Sequence, residues 1–286
     1  THQPKYYYFA WANRLVTYYL KTSRTNIALY EVQNMLKEAQ KEDDKTGLSR
    51  CYNIMSQIYT IKRFDSMAFE WRLKEIELTE KYNIENYNIS QTYAQIANYY
   101  ISQKKQKEAL RAVEKAISTA NSSTQQISAK LEYVNYYSKF SDFQAAEKIL
   151  KECQIAFEQD KRLESIKKRL YNIECLYYQQ TRQYQKALEA AEMQEKEEHR
   201  LSESILSSSH YRTQGEIYQK MGNMNMAVKY LQMYINTDDS LKIANEQVAS
   251  SEFATLLNVE KLNAEKKELM LQAQEKEIRN KTTLII

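Results

Sequence analysis

The residues that could carry out metal, acid–base or nucleophilic chemistry are few in this sequence of 286 residues, and they are scattered. His2, His199 and His210 form neither an HExxH motif nor a pair one helical turn apart. The run "EKEEHR" around His199 is typical of a solvated helix end. No phosphate-binding loop, nucleophile elbow or kinase signature is found. The sequence therefore predicts a non-enzymatic fragment without metal or cofactor, and any catalytic output module would lie outside it.

The cysteines and the net charge argue against further classes of site and partner. Cys51, Cys153 and Cys175 are odd in number and contain no CxxC pair, which favours buried thiols that pack as small apolar residues over a disulfide or zinc site. The formal charge of +4 arises from 41 basic and 37 acidic residues mixed along the chain. We therefore expect no direct contact with nucleic acid.

The elements that position the side chains are predicted to be helices. Three glycines and one proline leave little for tight turns, and Gln, Glu, Lys, Leu and Ala all favour helix. The segment "QTYAQIANYYISQKKQKEALRAVEKAI" carries two apolar stripes at helical spacing on either side of a polar turn. The first consists of Tyr93, Ile96, Ala97 and Tyr100, and the second of Ala109, Val113 and Ala116. Such a segment predicts two antiparallel helices joined in a hairpin.

This hairpin pattern recurs along residues 1–237. Its clearest marker is one alanine in each second helix, found at Ala28, Ala68, Ala109, Ala146, Ala187 and Ala227. Successive markers lie 37 to 41 residues apart, which predicts six hairpins. The register of the second copy is ambiguous, because Met67 with Trp71 fits as well as Ala68.

The residues at these positions resemble the tetratricopeptide repeat, whose pattern is W-x2-L-G-x2-Y followed by A-x3-F. Tyr100 and Ala109 match it directly. Tyr93, the Ile96–Ala97 pair and Val113 replace the tryptophan, the Leu-Gly pair and the phenylalanine. A further copy carries the glycine itself at Gly215. The resemblance implies an all-α, right-handed α-α superhelix of about six hairpins. Because the standard unit has 34 residues, these units need longer helices or longer loops.

Tyrosine doublets occur at similar intervals in four of the copies. They are Tyr18–Tyr19, Tyr99–Tyr100, Tyr136–Tyr137 and Tyr177–Tyr178. The second tyrosine of each falls on the family's packing position, where its ring would fill the space between successive hairpins. The doublets are therefore predicted to pack the array rather than to contact a ligand.

Resemblance to the family also implies a binding face, since the fifth and ninth positions of each first helix point into the concave groove. Asparagine fills five of these twelve positions. The residues expected to bind a peptide are Asn13, Asn53, Gln57, Asn98, Asn135, Asn172 and Arg212, with Thr17 and Glu216 on the same face. A side-chain amide can pair with both the N–H and the C=O of a peptide. The alternative is that asparagine is simply tolerated on a solvated face.

The C-terminal segment predicts one more helix over residues 238–280. Asp238, Asp239 and Ser240 would cap its start. Its apolar stripe consists of Val259, Leu262, Leu269 and Ala273. It would be either a capping helix on the sixth hairpin or a signalling stalk. The apolar ending "TTLII" within residues 281–286 is consistent with the start of a transmembrane helix.

This ending resembles the sensor region of bacterial membrane-anchored signalling proteins, in which a histidine kinase or a DNA-binding transcriptional regulator follows the membrane span. The resemblance implies a peptide or protein ligand, a place on the periplasmic face of the inner membrane, and membrane attachment just after Ile286. It also implies a homodimer through the C-terminal helix. The alternative is a soluble cytoplasmic adaptor that holds protein complexes together.

Overall fold

A computed structural model describes residues 4–201 and 208–283, and all regular structure in these ranges is helical. The α-helices there are α1 Pro4–Arg14, α2 Thr25–Lys41, α3 Lys45–Ile61, α4 Asp65–Tyr82, α5 Ile89–Ser102, α6 Gln106–Ser118, α7 Ser123–Lys139, α8 Phe143–Gln159, α9 Lys167–Gln180, α10 Tyr184–Leu201, α11 Ser209–Lys220 and α12 Met224–Thr283. A π-helical segment, Leu15–Leu20, extends α1, and a 3-10 helix, Lys161–Ile166, precedes α9. The all-α prediction is confirmed.

These helices form six antiparallel hairpins, beginning with α1 and α2 and ending with α11 and α12. The six marker alanines are all at most 3 % exposed, so each lies where the second helix meets its neighbours. In the second hairpin Ala68 is 1 % exposed and Met67 is 42 % exposed, which resolves the ambiguous register in favour of Ala68. The right-handed solenoid of six hairpins is therefore confirmed.

The additional length of each unit is distributed differently among the hairpins. Helices α3 and α4 have 17 and 18 residues, and α7 and α8 have 17 each. By contrast, α5 and α6 have 14 and 13 residues. In the third hairpin the additional length lies instead in the connection that precedes it, residues 83–88. Both routes to a longer unit, longer helices and longer connections, are therefore used.

One backbone motif closes all six hairpins. Five residues before each marker alanine the backbone adopts a positive φ, at Ser23, Arg63, Lys104, Ser141, Arg182 and Gly222. The next residue donates its N–H to the carbonyl of the packing tyrosine, as from Lys105 to Tyr100 at 2.9 Å. This left-handed residue ends the first helix of each hairpin and reverses the chain. Five of the six positions use a side-chain-bearing residue where glycine is favoured.

Replacing Lys104 with glycine is expected to stabilise the protein by about 0.5 to 1 kcal/mol, because glycine has no Cβ to disfavour a φ of +57°. Gly222→Ala should be destabilising by a similar amount. Nothing lies within 4 Å of a Cβ built at Gly222, so its φ of +79° alone would set the cost. Denaturant titration measures both. Lys107→Gly, inside α6, serves as the control and should be destabilising; a destabilised Lys104→Gly protein would contradict the prediction.

The second tyrosine of each doublet packs against the core, as predicted, whereas Tyr18, the first of its pair, is 56 % exposed. Tyr137 and Tyr178 each touch two successive clusters of buried residues, so the second tyrosine does bridge neighbouring hairpins. The first tyrosine is the more deeply buried partner in the fourth and fifth hairpins, with Tyr136 and Tyr177 only 5 % and 4 % exposed. The sequence pattern did not indicate this, because it places only the second tyrosine on the packing face of the helix. The ring of the first tyrosine enters the core from the side of that face.

Small residues and thiols complete the core. A Cβ at Gly215 would lie 2.9 Å from Leu231 Cδ2, so the family's glycine position is a close helix contact here as well. The three cysteines are buried free thiols, as predicted. Burial raises the pKa of Cys51 to about 12 and that of Cys153 to about 11, which leaves both protonated and unreactive at neutral pH.

The last helix differs from its prediction. No helix begins at Asp238–Ser240, because α12 runs unbroken from Met224 to Thr283 and forms both the second helix of the sixth hairpin and the C-terminal extension. Asp238 instead accepts a hydrogen bond from the Ser208 hydroxyl at 3.0 Å. Acidic residues and serine can cap a helix or lie on its solvated side, and with no glycine or proline nearby the helix continues.

The extension also returns to the start of the array. The Glu252 carboxylate, 3 % exposed, accepts the backbone N–H groups of Asn26 at 3.2 Å and Ile27 at 3.1 Å, and the Asn26 side-chain amide at 2.8 Å. These N–H groups belong to the first turn of α2, where they lack partners within the helix. Glu252 lies 28 positions after Met224, about 42 Å along the helix. One helix therefore joins the sixth hairpin to the first.

Beyond this contact α12 leaves the array. Every residue from Glu260 to Lys276 is exposed, including Leu262 and Leu269 of the predicted stripe. Among the described helices, none combines the length and apolarity needed to cross a membrane. The residues Leu284, Ile285 and Ile286 of the predicted membrane segment lie outside the described ranges.

Candidate functional site

A cavity of about 680 Å³ lies between the first and second hairpins. One wall comes from α1 and the π-helical segment, with Phe9, Asn13 and Val16. The opposite wall comes from α3. Glu75 of α4 and the connection between α4 and α5 complete the lining. Both long walls are first helices of their hairpins, the helices on which the family resemblance placed the binding positions. Its size suits a few residues of an extended peptide.

A chain of side-chain amides crosses this cavity. The Gln57 amide donates to Asn53 Oδ1 at 2.6 Å, and the Asn53 amide donates to both carboxylate oxygens of Glu75 at 3.2 Å. Asn86 donates to Glu75 Oε1 from the opposite side at 2.9 Å. Asn53 and Asn86 are therefore held by one buried carboxyl group, and Gln57 is held by Asn53. Each retains a further donor or acceptor that can pair with a peptide backbone.

The Glu75 side chain is only 1 % exposed, and burial raises its pKa to about 7. The hydrogen bonds from Asn53 and Asn86 and the charge of Arg72 oppose this shift and reduce it. Burial dominates because loss of hydration disfavours the charged form more than two neutral donors favour it. Near neutral pH the group is close to half protonated.

Glu75→Gln is expected to stabilise the protein at pH 8 and to have little effect at pH 4.5. Below pH 4.5, the ordinary pKa of a glutamate carboxyl group, Glu75 is protonated in both the folded and the unfolded protein. Between pH 4.5 and 7 the folded protein keeps a proton that the unfolded chain releases. The stability of the parent should therefore fall across this window, by up to about 3 kcal/mol. Urea unfolding of both proteins from pH 4.5 to 8 measures this difference. Glu265→Gln, in the exposed part of α12, is the control. Parallel pH profiles for parent and Glu75→Gln would contradict the prediction.

Arg50 places a cation without a counter-charge in the same cavity. It lies on α3, one helical turn before Asn53, and its guanidinium carbon is 4.9 Å from the centroid of the Phe9 ring. Its Nε atom is buried and has no hydrogen-bond partner. Burial lowers the pKa of Arg50, and no carboxylate offsets that effect. An arginine remains charged under such conditions, so this buried donor lacks the partner that would offset its lost hydration.

The remaining residues expected to bind a peptide lie apart from this cavity. Asn98 and Asn135 come together in the third and fourth hairpins, where the Asn135 amide donates to Asn98 Oδ1 at 2.7 Å. Asn172 is exposed in the fifth hairpin. Arg212 donates to Glu216 at 2.8 Å on the surface of α11. Of the predicted residues, Asn13, Asn53 and Gln57 therefore share one cavity, and Asn98 and Asn135 form a separate pair. Asn172 and Arg212 lie apart from both groups.

Several residues of the cavity were not among the predicted ones: Phe9, Arg50, Glu75, Asn86 and Asn88. Two signals in the sequence could have indicated them. Arg50 precedes Asn53 by three residues and so shares its helix face. The connection "NIENYN" over residues 83–88 holds three asparagines between two helical patterns, which is unusual for a short linker. Glu75 carried no signal, because its burial and its contacts with Asn53 and Asn86 arise only in the folded structure.

Comparison with solved structures supports the tetratricopeptide-like fold. The chain superposes on NprR in complex with its cognate peptide NprX with a TM-score of 0.63 and 12 % identity, covering 90 % of this chain and 72 % of that one. A tetratricopeptide repeat protein from Parabacteroides merdae ATCC 43184 gives a TM-score of 0.56 at 15 % identity, covering 86 % and 84 %. The type IV pilus biogenesis factor PilW gives 0.50 at 16 %, covering 82 % and 94 %.

No protein-family model matches the sequence, and no curated protein does. At these identities the similarity establishes the architecture, a solenoid of tetratricopeptide-like hairpins, and not a shared activity.

Proposed function

We propose that this protein is a binding scaffold that captures an extended peptide or a segment of a partner protein between its first two hairpins. The observation that carries this proposal is the cavity with its oriented amides, Asn53 and Gln57, facing Asn13 across the opening. Amides that are already held in place lose no further side-chain freedom when they bind backbone groups, and this lowers the entropic cost of binding. NprR, which shares the architecture, was solved with its cognate peptide NprX.

Asn13→Trp tests this proposal, because Asn13 is exposed on the cavity wall and an indole there would fill the opening. The parent, incubated with a pool of mixed-sequence hexapeptides and separated by ultrafiltration, should retain a subset that mass spectrometry identifies. Asn13→Trp should retain at least tenfold less, whereas Asn263→Trp, in the exposed part of α12, should retain as much as the parent. Equal retention by Asn13→Trp, or none by the parent, would contradict the proposal.

We further propose that the fragment is the sensor region of a bacterial membrane-anchored signalling protein and passes ligand binding to its output through α12. The contact between Glu252 and the first turn of α2 supports this, because it ties the long helix to the hairpin that forms one cavity wall. A kinase or transcriptional regulator would follow beyond the membrane, with the scaffold on the periplasmic face. Leu262 and Leu269, about two-thirds exposed, offer an apolar surface for a homodimer.

Spin labels at exposed Gln33 on α2 and Asn258 on α12 test the relay. The labels can be attached selectively, because the three native cysteines are buried. Their distance distribution should shift when the retained peptides are added, and Glu252→Gln should broaden it without peptide. An unchanged distribution would favour the second candidate, a soluble adaptor. The gene sequence after Ile286 separates the two independently, since a membrane span needs about twenty apolar residues.

A further inference from the structure

We propose that the turns of the first three hairpins form a docking surface for a lipid bilayer that contains anionic lipids. These turns, residues 21–24, 62–64 and 103–105, connect the two helices of each hairpin, and together they are called the basic edge. None of their residues lines the cavity between the first two hairpins. The proposal therefore does not depend on peptide binding.

Positive charge is concentrated on the basic edge. The connections at the other end of these hairpins, residues 42–44 and 83–88, have four acidic residues and no basic one. The turns of the last three hairpins have one basic residue, Arg182, and one acidic residue, Asp142. By contrast, six of the ten residues of the basic edge are basic and none is acidic. The six are Lys21, Arg24, Lys62, Arg63, Lys104 and Lys105. Charges that are mixed along the sequence are thus separated by the fold.

The six basic side chains are not neutralised within the described part of the chain. None of them forms a salt bridge with a carboxylate there. Five of the six residues are exposed. The sixth, Lys62, is half-buried and donates to the neutral amide oxygen of Asn26 at 2.7 Å. Their charge is therefore available to an anionic partner.

The three turns of the basic edge lie side by side. The hydrogen bond from Lys62 to Asn26 joins the second turn to the start of α2, which follows the first turn. Phe69 of α4 stacks on Tyr99 near the end of α5, with ring centroids 4.0 Å apart, which joins the second turn to the third. Packed helices lie about 8–10 Å apart, and the Debye length at 0.1 M salt is about 10 Å. The potentials of neighbouring turns therefore add.

Exposed apolar side chains accompany these cations and indicate the class of partner. Tyr18, Ile61, Phe64 and Met67, in the turns or just beside them, are between 42 % and 56 % exposed. Bases of a nucleic acid could stack on the two aromatic rings, but the aliphatic side chains of Ile61 and Met67 would stay in water. At a bilayer all four can enter the boundary between headgroups and acyl chains while the cations bind the lipid phosphates. The combination favours a lipid surface over a nucleic acid.

Sedimentation with lipid vesicles tests the proposal. The protein should sediment at least tenfold more with mixed phosphatidylcholine–phosphatidylglycerol vesicles than with pure phosphatidylcholine vesicles, because only the former carry negative charge. Added sodium chloride should release it, since salt screens the attraction. A fluorescent single-stranded oligonucleotide and a duplex, titrated under the same conditions, should bind more weakly than the mixed vesicles.

A charge variant and its matched control locate the surface. The charge variant combines Arg63→Gln, Lys104→Gln and Lys105→Gln and should bind the mixed vesicles at least tenfold less than the parent. The control removes the same charge from the exposed part of α12 and should bind like the parent. It combines Lys261→Gln, Lys266→Gln and Lys267→Gln. If the charge variant loses its helical circular dichroism, Arg63→Gln and Lys105→Gln are measured singly, and each should weaken binding about fivefold.

Phe64→Ser tests the apolar part of the surface. It should weaken binding to the mixed vesicles at least threefold, because the ring no longer enters the acyl boundary. Phe253→Ser, which removes a ring that is 64 % exposed on α12, is its control and should bind like the parent.

Loss of vesicle binding in the charge variant and in Phe64→Ser, but in neither control, supports the proposal. Equal binding of the parent to both kinds of vesicle, or to neither, overturns it. Vesicle binding that persists in the charge variant overturns the role of the basic edge. Tighter binding to an oligonucleotide than to the mixed vesicles would assign the edge to nucleic acid instead. The peptide-retention test of the proposed function is unaffected by any of these results.

Discussion

Replacing Ala109 with glutamate is expected to destabilise the array by more than about 4 kcal/mol, enough to remove cooperative unfolding near room temperature. Ala109 is fully buried in a cluster with Tyr93, Ile96 and Val113, and its methyl group fills the space where α6 meets α5. A carboxylate there would lose its hydration and find no donor in this apolar cluster. In addition, the larger side chain would force the two helices apart.

The consequence should spread beyond the third hairpin. In a solenoid each unit is stabilised mainly by its neighbours, so losing a central unit exposes an apolar face on both sides. Ala187→Glu in the fifth hairpin, also fully buried, should act in the same way. Thermal denaturation followed by circular dichroism measures both. Ala264→Glu makes the same substitution on the exposed part of α12 and should melt with the parent. An Ala109→Glu protein melting within a degree of the parent would show that the packing register is wrong.

Replacing Arg169 with methionine is expected to destabilise the protein by about 3 to 5 kcal/mol. Arg169 of α9 pairs with Glu132 of α7, whose side chain is 2 % exposed. Removing the arginine would leave the Glu132 carboxylate buried without a counter-charge. Only the weak donor Asn135, at 3.5 Å, would then remain. This cost comes from the uncompensated charge rather than from the net value of the pair.

The double variant Glu132→Gln with Arg169→Met separates these two contributions. It should recover most of the loss, because no charge is left buried. The control is Lys151→Met, which breaks a salt bridge of 2.7 Å to Glu147 on the exposed side of α8 and should leave the unfolding midpoint unchanged. Urea titration of the parent, Glu132→Gln, Arg169→Met and the double variant gives the coupling between Glu132 and Arg169. A loss no larger in Arg169→Met than in Lys151→Met would indicate that Glu132 is hydrated or paired elsewhere.

The two substitutions with the largest expected effects differ in whether their cause could be predicted from the sequence. The buried alanines could be located from the sequence, since helical periodicity and the need for a small residue at a close helix contact are local properties. The same holds for the number of hairpins, for the bridging role of Tyr137 and Tyr178 and for the buried cysteines. The pairing of Glu132 with Arg169 joins two hairpins across a sequence separation of 37, and no local pattern indicates it.

The sequence by itself determined the helical class and the six hairpins, because each depends on residues within about forty positions of one another. Tertiary structure alone decided which asparagines meet, since Asn13, Asn53 and Gln57 come together through the stacking of the first two hairpins, whereas Asn172 does not join them. It also decided that Arg50 is left unpaired beside Phe9, and that Glu252 reaches Asn26 across 226 positions of the chain. These distances depend on how small rotations between successive hairpins add up along the array, and no local pattern of residues encodes that sum.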